Sequence, residues 1–113
     1  MTKIVTLDEV KQAVDAGIAI LVEALPREHY DKEHLPGAVN IPHDQVDKLA
    51  PTVLPHKHAA VIVYCANGPC ANSGIAARRL AELGYTDVSD YHLGKEDWFA
   101  AGLPFESAAS TSA

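Results

Sequence analysis

A chain of 113 residues, 48% hydrophobic and 21% charged, has the length and composition of one globular domain; a disordered body and a second independent core are both excluded. Nine Lys and Arg against fifteen Asp and Glu leave a net charge of -6, the wrong balance for a broad nucleic-acid-binding surface. The longest apolar stretches, such as residues 59–66, are too short to span a bilayer, and the start Met1-Thr2-Lys3-Ile4 lacks the apolar run of a signal peptide, so the expected compartment is the cytoplasm, with neither nucleic acid nor membrane as partner.

In chain order, Thr6-Leu7-Asp8-Glu9 reads as a capping box that opens a helix with Leu7, Val10 and Val14 on one face, and Gly17 stops it. Residues 18–22 are apolar on both faces and predict a buried strand. Pro26 opens a short helix over 27–32, Leu35-Pro36-Gly37 is a turn, and 38–41 is a second short strand that Pro42 ends. Another short helix is predicted over 43–49, followed by a loop bracketed by Pro51 and Pro55. Residues 60–64 form the clearest strand, β-branched and apolar on both faces, and so central in a parallel sheet. A tight polar loop follows, Cys65-Ala66-Asn67-Gly68-Pro69-Cys70. The clearest helix spans 71–83, with Ile75, Ala76, Leu80 and Leu83 on its buried face and Arg78, Arg79 and Glu82 outside; Gly84 ends it. A strand over 87–91 and a short helix over 95–101 carrying Trp98 complete a domain expected over 1–106, with 107–113 as a flexible tail.

Strands alternating with helices give an α/β class with a mainly parallel sheet, whose active sites lie beyond the carboxyl ends of the strands. Cys65 occupies that place, directly after the central strand and ahead of the long helix. Residues 66–70 can curl their backbone N–H groups around its sulfur, Gly68 permitting the tight turn and Pro69 contributing no donor. These donors and the helix dipole both favour the thiolate, so the spacing predicts a nucleophilic cysteine of lowered pKa in an anion-binding cradle. The competing reading is a small buried hydrophobe at a strand end. Cys65 and Cys70 are spaced C-x4-C with no second Cys/His pair at ligand spacing, so no metal and no cofactor are expected.

The run Val63-Tyr64-Cys65-x-x-Gly68-x-Cys70-x-x-Ser73-x-x-Ala76-Ala77-x-x-Leu80-x-x-Leu83-Gly84-Tyr85-x-x-Val88 resembles the active-site half of a single-domain rhodanese, a sulfurtransferase. His34-Leu35-Pro36-Gly37-Ala38-Val39-Asn40-Ile41-Pro42 resembles the upstream signature of that family, and Tyr91-x-x-Gly94-x-x-x-Trp98 with Gly102-Leu103-Pro104 its C-terminal one. Three signatures in order, over roughly residues 4–105, make the resemblance specific. It implies a three-layer domain with a five-stranded, mainly parallel sheet between helices. It also implies transfer of a sulfane sulfur from a small anionic donor (thiosulfate, polysulfide or a persulfide) through a persulfide on Cys65 to a thiol, cyanide or protein acceptor. Cys65 takes the catalytic role and Ala66, Asn67, Gly68, Pro69 and Cys70 the substrate cradle. The alternative is a non-catalytic module of the same fold that binds an anion or a partner.

Several residues depart from the family pattern. An Asp-x-Arg pair common after the second strand is here Glu23 and Leu25, and the loop holds no cation for a doubly negative donor. The related phosphatases and arsenate reductases need a C-x5-R loop, but residue 71 is Ala and the first arginine is Arg78, which disfavours their chemistry. Lys95, near the carboxyl edge of the sheet, is a candidate for the missing cation. Cys70 is read as an inert helix-start residue, against a resolving thiol or a second sulfur carrier. His34 is read as a buried histidine that bonds a backbone group to hold its turn, His56-Lys57-His58 as a solvated loop, Trp98, Phe99 and Leu103 as core or pocket wall, and Arg78 and Arg79 as an exposed helix face.

Overall fold

Period-two alternation along the strands sends neighbouring side chains to opposite sides of one sheet, and here both sides are apolar, so helices must cover both. The computed structural model describes residues 3–107 and shows that arrangement. Strands β1 (Lys3–Ile4), β2 (Ile20–Glu23), β3 (Val39–Asn40), β4 (Val61–Tyr64) and β5 (Val88–Tyr91) form a single sheet in the order β1-β5-β4-β2-β3, every pairing parallel. The helices are α1 (Leu7–Ala16), α2 (Arg27–Lys32), α3 (Val46–Val53), α4 (Asn72–Glu82) and α5 (Gly94–Ala100).

Val61 and Val63 join Val22 and Val88 in one core, under Ala50 of α3 and Ala76, Ala77 and Leu80 of α4. Ile62 and Tyr64 join Leu21 and Tyr91 in the other, against Val10 and Ala13 of α1 and Trp98 of α5. The result is an α/β domain of three layers with β4 central and buried along its whole length. The capping box holds α1: the Thr6 hydroxyl accepts from Glu9 N–H at 3.3 Å, and the Glu9 carboxylate accepts from Thr6 N–H at 3.1 Å. Gly17 closes that helix in the left-handed conformation.

Four expectations need correction. The sheet gains an N-terminal strand, β1, that the sequence pattern does not signal, because both of its residues are exposed. The strand expected over 18–22 starts at Ile20, leaving Ile18 in solvent. The helix expected over 43–49 lies over Val46–Val53 and contains Pro51; burial of Val46 and Ala50 outweighs the one N–H that proline withholds. Ile75 is not on the buried face of α4 but 48% exposed, while Ser73 takes a buried position there. Of the expected tail, 107–113, all but Ser107 lies outside the described residues.

Candidate active site

The sheet places its chemistry at the carboxyl end of β4. Tyr64 ends the strand and Cys65, fully buried, follows it. From the other side, α5 fixes the start of the loop: Lys95 N–H donates to the Cys65 carbonyl and Glu96 N–H to that of Ala66, both at 2.9 Å. Gly94 makes this approach feasible. Its φ is +64°, and a Cβ there would lie 2.3 Å from the Cys65 carbonyl oxygen.

The Cys65 sulfur lies under the loop, facing the first turn of α4. It is 3.5 Å from the Cys70 carbonyl oxygen and 3.5 Å from Ser73 Oγ. Not every loop amide serves a cradle: Cys70 N–H donates to the Asn67 backbone carbonyl at 3.1 Å and its side-chain oxygen at 3.2 Å. Among the described residues, the N–H groups of Ala66, Asn67 and Gly68 are committed to no protein acceptor. The lowered pKa expected for Cys65 does not hold. Burial pushes the thiol up and the neighbouring Cys70 thiol adds to that; the Ser73 hydroxyl and N–H pull the other way without overcoming it.

Behind the loop is a buried polar network. Glu23, fully buried at the end of β2, accepts from the Tyr64 hydroxyl at 2.9 Å, and its Oε2 lies 2.8 Å from Lys95 Nζ. Lys95 also donates to the His29 carbonyl at 3.0 Å, and Leu35 N–H donates to Tyr64 Oη at 3.1 Å. Burial pushes the Glu23 carboxyl up, and the Lys95 ammonium and Tyr64 hydroxyl oppose it. Lys95 is thus no free cation for a substrate; its charge is spent on Glu23.

The loop separates two clefts, and Cys65 borders neither. One, of about 260 Å³, is lined by Ala66 and Asn67 together with Leu25, Lys32, Lys95 and Glu96 among others. The other, of about 370 Å³, is lined by Gly68, Pro69 and Cys70 with Ile75, Arg78, Asp90 and His92 among others. The expected cradle residues therefore divide, two to one side and three to the other. His34 plays its expected part: buried and stacked on Tyr30 at 3.8 Å, its Nδ1 lies 2.7 Å from the Tyr30 carbonyl. His58 bonds Thr86 at 3.1 Å in its exposed loop. Arg79 is not a bare surface residue, since it grips Asp47 of α3 in two bonds of 2.6 and 2.7 Å. Sequence reasoning gave no role to Ser73, Glu23 or Asp90. Each carried a signal: a hydroxyl three residues before Ala76 on an apolar helix face, a carboxylate closing the apolar strand β2, and a carboxylate in the short strand β5.

The family model described as Rhodanese-like domain matches residues 6–101. The chain is 43% identical over 63 residues to thiosulfate sulfurtransferase PspE of Escherichia coli, covering 56% of this chain and 59% of that one. It is 31% identical over 106 residues to the HTH-type transcriptional regulator Rv0324 of Mycobacterium tuberculosis, covering 93% of this chain and 45% of the regulator. It thus spans only about half the length of these curated relatives. A solved structure described as a rhodanese with anions from E. coli superposes with a TM-score of 0.65 at 34% identity, covering 79% of this chain and 98% of that one. Among the described residues, no helix is long and apolar enough to cross a membrane.

Proposed function

The chain belongs to the rhodanese-like domain family, and from that premise we propose that it is a sulfurtransferase that carries a sulfane sulfur as a persulfide on Cys65. The observation that carries this reading is the placement of Cys65 at the end of the central strand, under a loop whose Ala66, Asn67 and Gly68 N–H groups are uncommitted and can hold a small anion. The thiol gives up its proton to solvent, and the thiolate attacks the sulfane sulfur of the donor. With thiosulfate, the S–S bond breaks and sulfite leaves with the electron pair. The acceptor, cyanide or a thiol, then attacks the outer sulfur of the persulfide and frees the Cys65 thiolate. Ser73 supports the two anionic stages, because its hydroxyl and N–H favour the charged sulfur.

The loop's lack of cations, the pairing of Lys95 with Glu23 and the net charge of -6 point to weak use of thiosulfate and better use of a less charged donor such as a persulfide. The protein acts as a soluble cytoplasmic carrier in this reading, within the domain 1–106. Mass spectrometry after incubation with thiosulfate, and separately with polysulfide, tests it. Addition of one sulfur atom, lost in Cys65→Ser, is the expected result. No addition with any donor would leave the non-catalytic anion- or partner-binding module as the better account.

A further inference from the structure

The smaller cleft beside the loop has a cation in its wall that is turned away from it. That wall holds Ala66 and Asn67, whose N–H groups are uncommitted, and Lys95, whose own N–H bonds the Cys65 carbonyl at 2.9 Å. Leu25 lines the cleft as well, at the position where the Asp-x-Arg pattern would put an arginine, so residue 25 brings no charge. Lys32 is opposed there by Glu33 and Glu96. The Lys95 ammonium lies 2.8 Å from Glu23 Oε2 and donates to the His29 carbonyl at 3.0 Å. Glu23 is fully buried and does not line the cleft, and among the described residues its Oε2 meets no donor besides that ammonium. Its other oxygen accepts from the Tyr64 hydroxyl, a task that an uncharged amide oxygen performs equally well. Packing does not require the acid either, since a buried ion pair gains little over neutral side chains of similar volume. What the carboxylate adds is one negative charge set against the ammonium, and at 2.8 Å the two cancel for anything in the cleft beyond.

Resting on the persulfide reading, we propose that Glu23 sets the choice of sulfur donor: by neutralising Lys95 in the cleft wall, it withholds from a doubly negative donor the cation that such a donor needs, and leaves the site to donors of lower charge. Glu23 acts through Lys95 and touches no substrate, so it is a positioning residue. A lysine side chain is long and flexible, and one that already borders a cleft can turn its ammonium into the water there once no buried charge holds it. The same cation is then offered to the anion that the Ala66 and Asn67 amides are free to hold. Removing the acid is therefore a gain of function toward thiosulfate, an effect that damage to the fold does not produce.

The test follows sulfur loading of the full chain by mass spectrometry, with thiosulfate and with 2-hydroxyethyl persulfide, whose charge is at most one. In each case the Cys65 thiolate attacks the outer sulfur; thiosulfate expels sulfite, the organic persulfide expels the 2-mercaptoethanol thiolate, and both leave the same Cys65 persulfide. The readout is the ratio of the two loading rate constants, which a general loss of folded protein leaves unmoved. Glu23→Gln keeps an oxygen for Tyr64 and removes the charge, and is expected to shift the ratio about tenfold toward thiosulfate, the worth of one charge-assisted contact. Adding Lys95→Met to it is expected to abolish that gain. Should Glu23→Gln not fold, Glu23→Asp carries the test: it draws the charge back from Lys95 by one methylene, and a smaller shift of about threefold in the same direction is expected. An unmoved ratio in the folded variants, a gain that survives Lys95→Met, or a parent that loads faster from thiosulfate than from the organic persulfide overturns the proposal and leaves the persulfide reading standing. No added sulfur on Cys65 from either donor in the parent overturns both together.

Discussion

Taking Cys65 into the interior removes water from its sulfur, and a thiolate loses more from that than a thiol does. The opposing donors at hand are the Ser73 hydroxyl and N–H, while the Cys70 amide, which a cradle would need, is bound to Asn67. Alkylation of Cys65 in the free protein should therefore titrate above the ordinary cysteine value of about 8.5. Ser73→Ala should move it higher and slow alkylation near neutral pH by about tenfold, the worth of one hydrogen bond to a charged group. A titration at or below the ordinary value would mean that the loop amides outweigh burial. The linkage has a definite sign: with the folded pKa raised, the unfolded chain loses this proton first, so stability falls as pH rises above about 8.5. The sequence made the cysteine legible through its place after an apolar strand. The balance of its environment was hidden, because which amide faces the sulfur depends on a turn closed by the Asn67 side chain. Glu23 shows the same limit: its acid was visible, its partner Lys95, 72 positions along the chain, was not.

At the scale of elements, the pattern was most legible where periodicity is strong, in α1, β4 and α4, and least where an element is short or held by packing. Lys3–Ile4 joins the sheet through pairing with Ser89 and Asp90, and two exposed residues leave no hydrophobic signature. Pro51 reads as a helix breaker, yet α3 runs through it because Ala50 and Val46 are buried against the sheet and Arg79 ties α4 to its first turn. Gly94 was visible as part of a signature without its reason. That reason is the docking of the first turn of α5 against the loop, with two amides on the Cys65 and Ala66 carbonyls. Gly94→Ala puts a side chain into a left-handed backbone and a methyl into the Cys65 carbonyl. The expected loss is about 2–4 kcal/mol of unfolding free energy from strain plus overpacking, measurable by urea denaturation. Because the displaced carbonyl belongs to the catalytic candidate, sulfur loading should fall as well. A variant of parental stability would mean that α5 can slide away from the loop at no cost.

The whole molecule carries its charge within a radius of gyration of 12.8 Å, a length that lies between the Debye lengths of dilute and physiological salt, about 30 Å at 10 mM and about 8 Å at 150 mM. In dilute salt a doubly negative donor feels the full net charge of -6; at physiological salt it feels mainly the cleft it enters. That cleft offers Lys32 against Glu33 and Glu96, with the Lys95 charge already given to Glu23, so it adds little attraction. Raising ionic strength from about 10 to about 150 mM should therefore increase kcat/KM for thiosulfate by roughly threefold or more through relief of repulsion. An uncharged sulfane donor should show no such slope. Ala66→Arg, which puts a cation on the cleft wall, should raise the efficiency with thiosulfate about tenfold to a hundredfold at physiological salt, the worth of one charge-assisted contact. It should also flatten the salt dependence, because attraction at contact distance survives screening that removes repulsion at long range. A rate that falls with salt in the parent would mean that Lys32 at the cleft mouth already outweighs the acidic surface, and the cation deficit would then be no obstacle to an anionic donor.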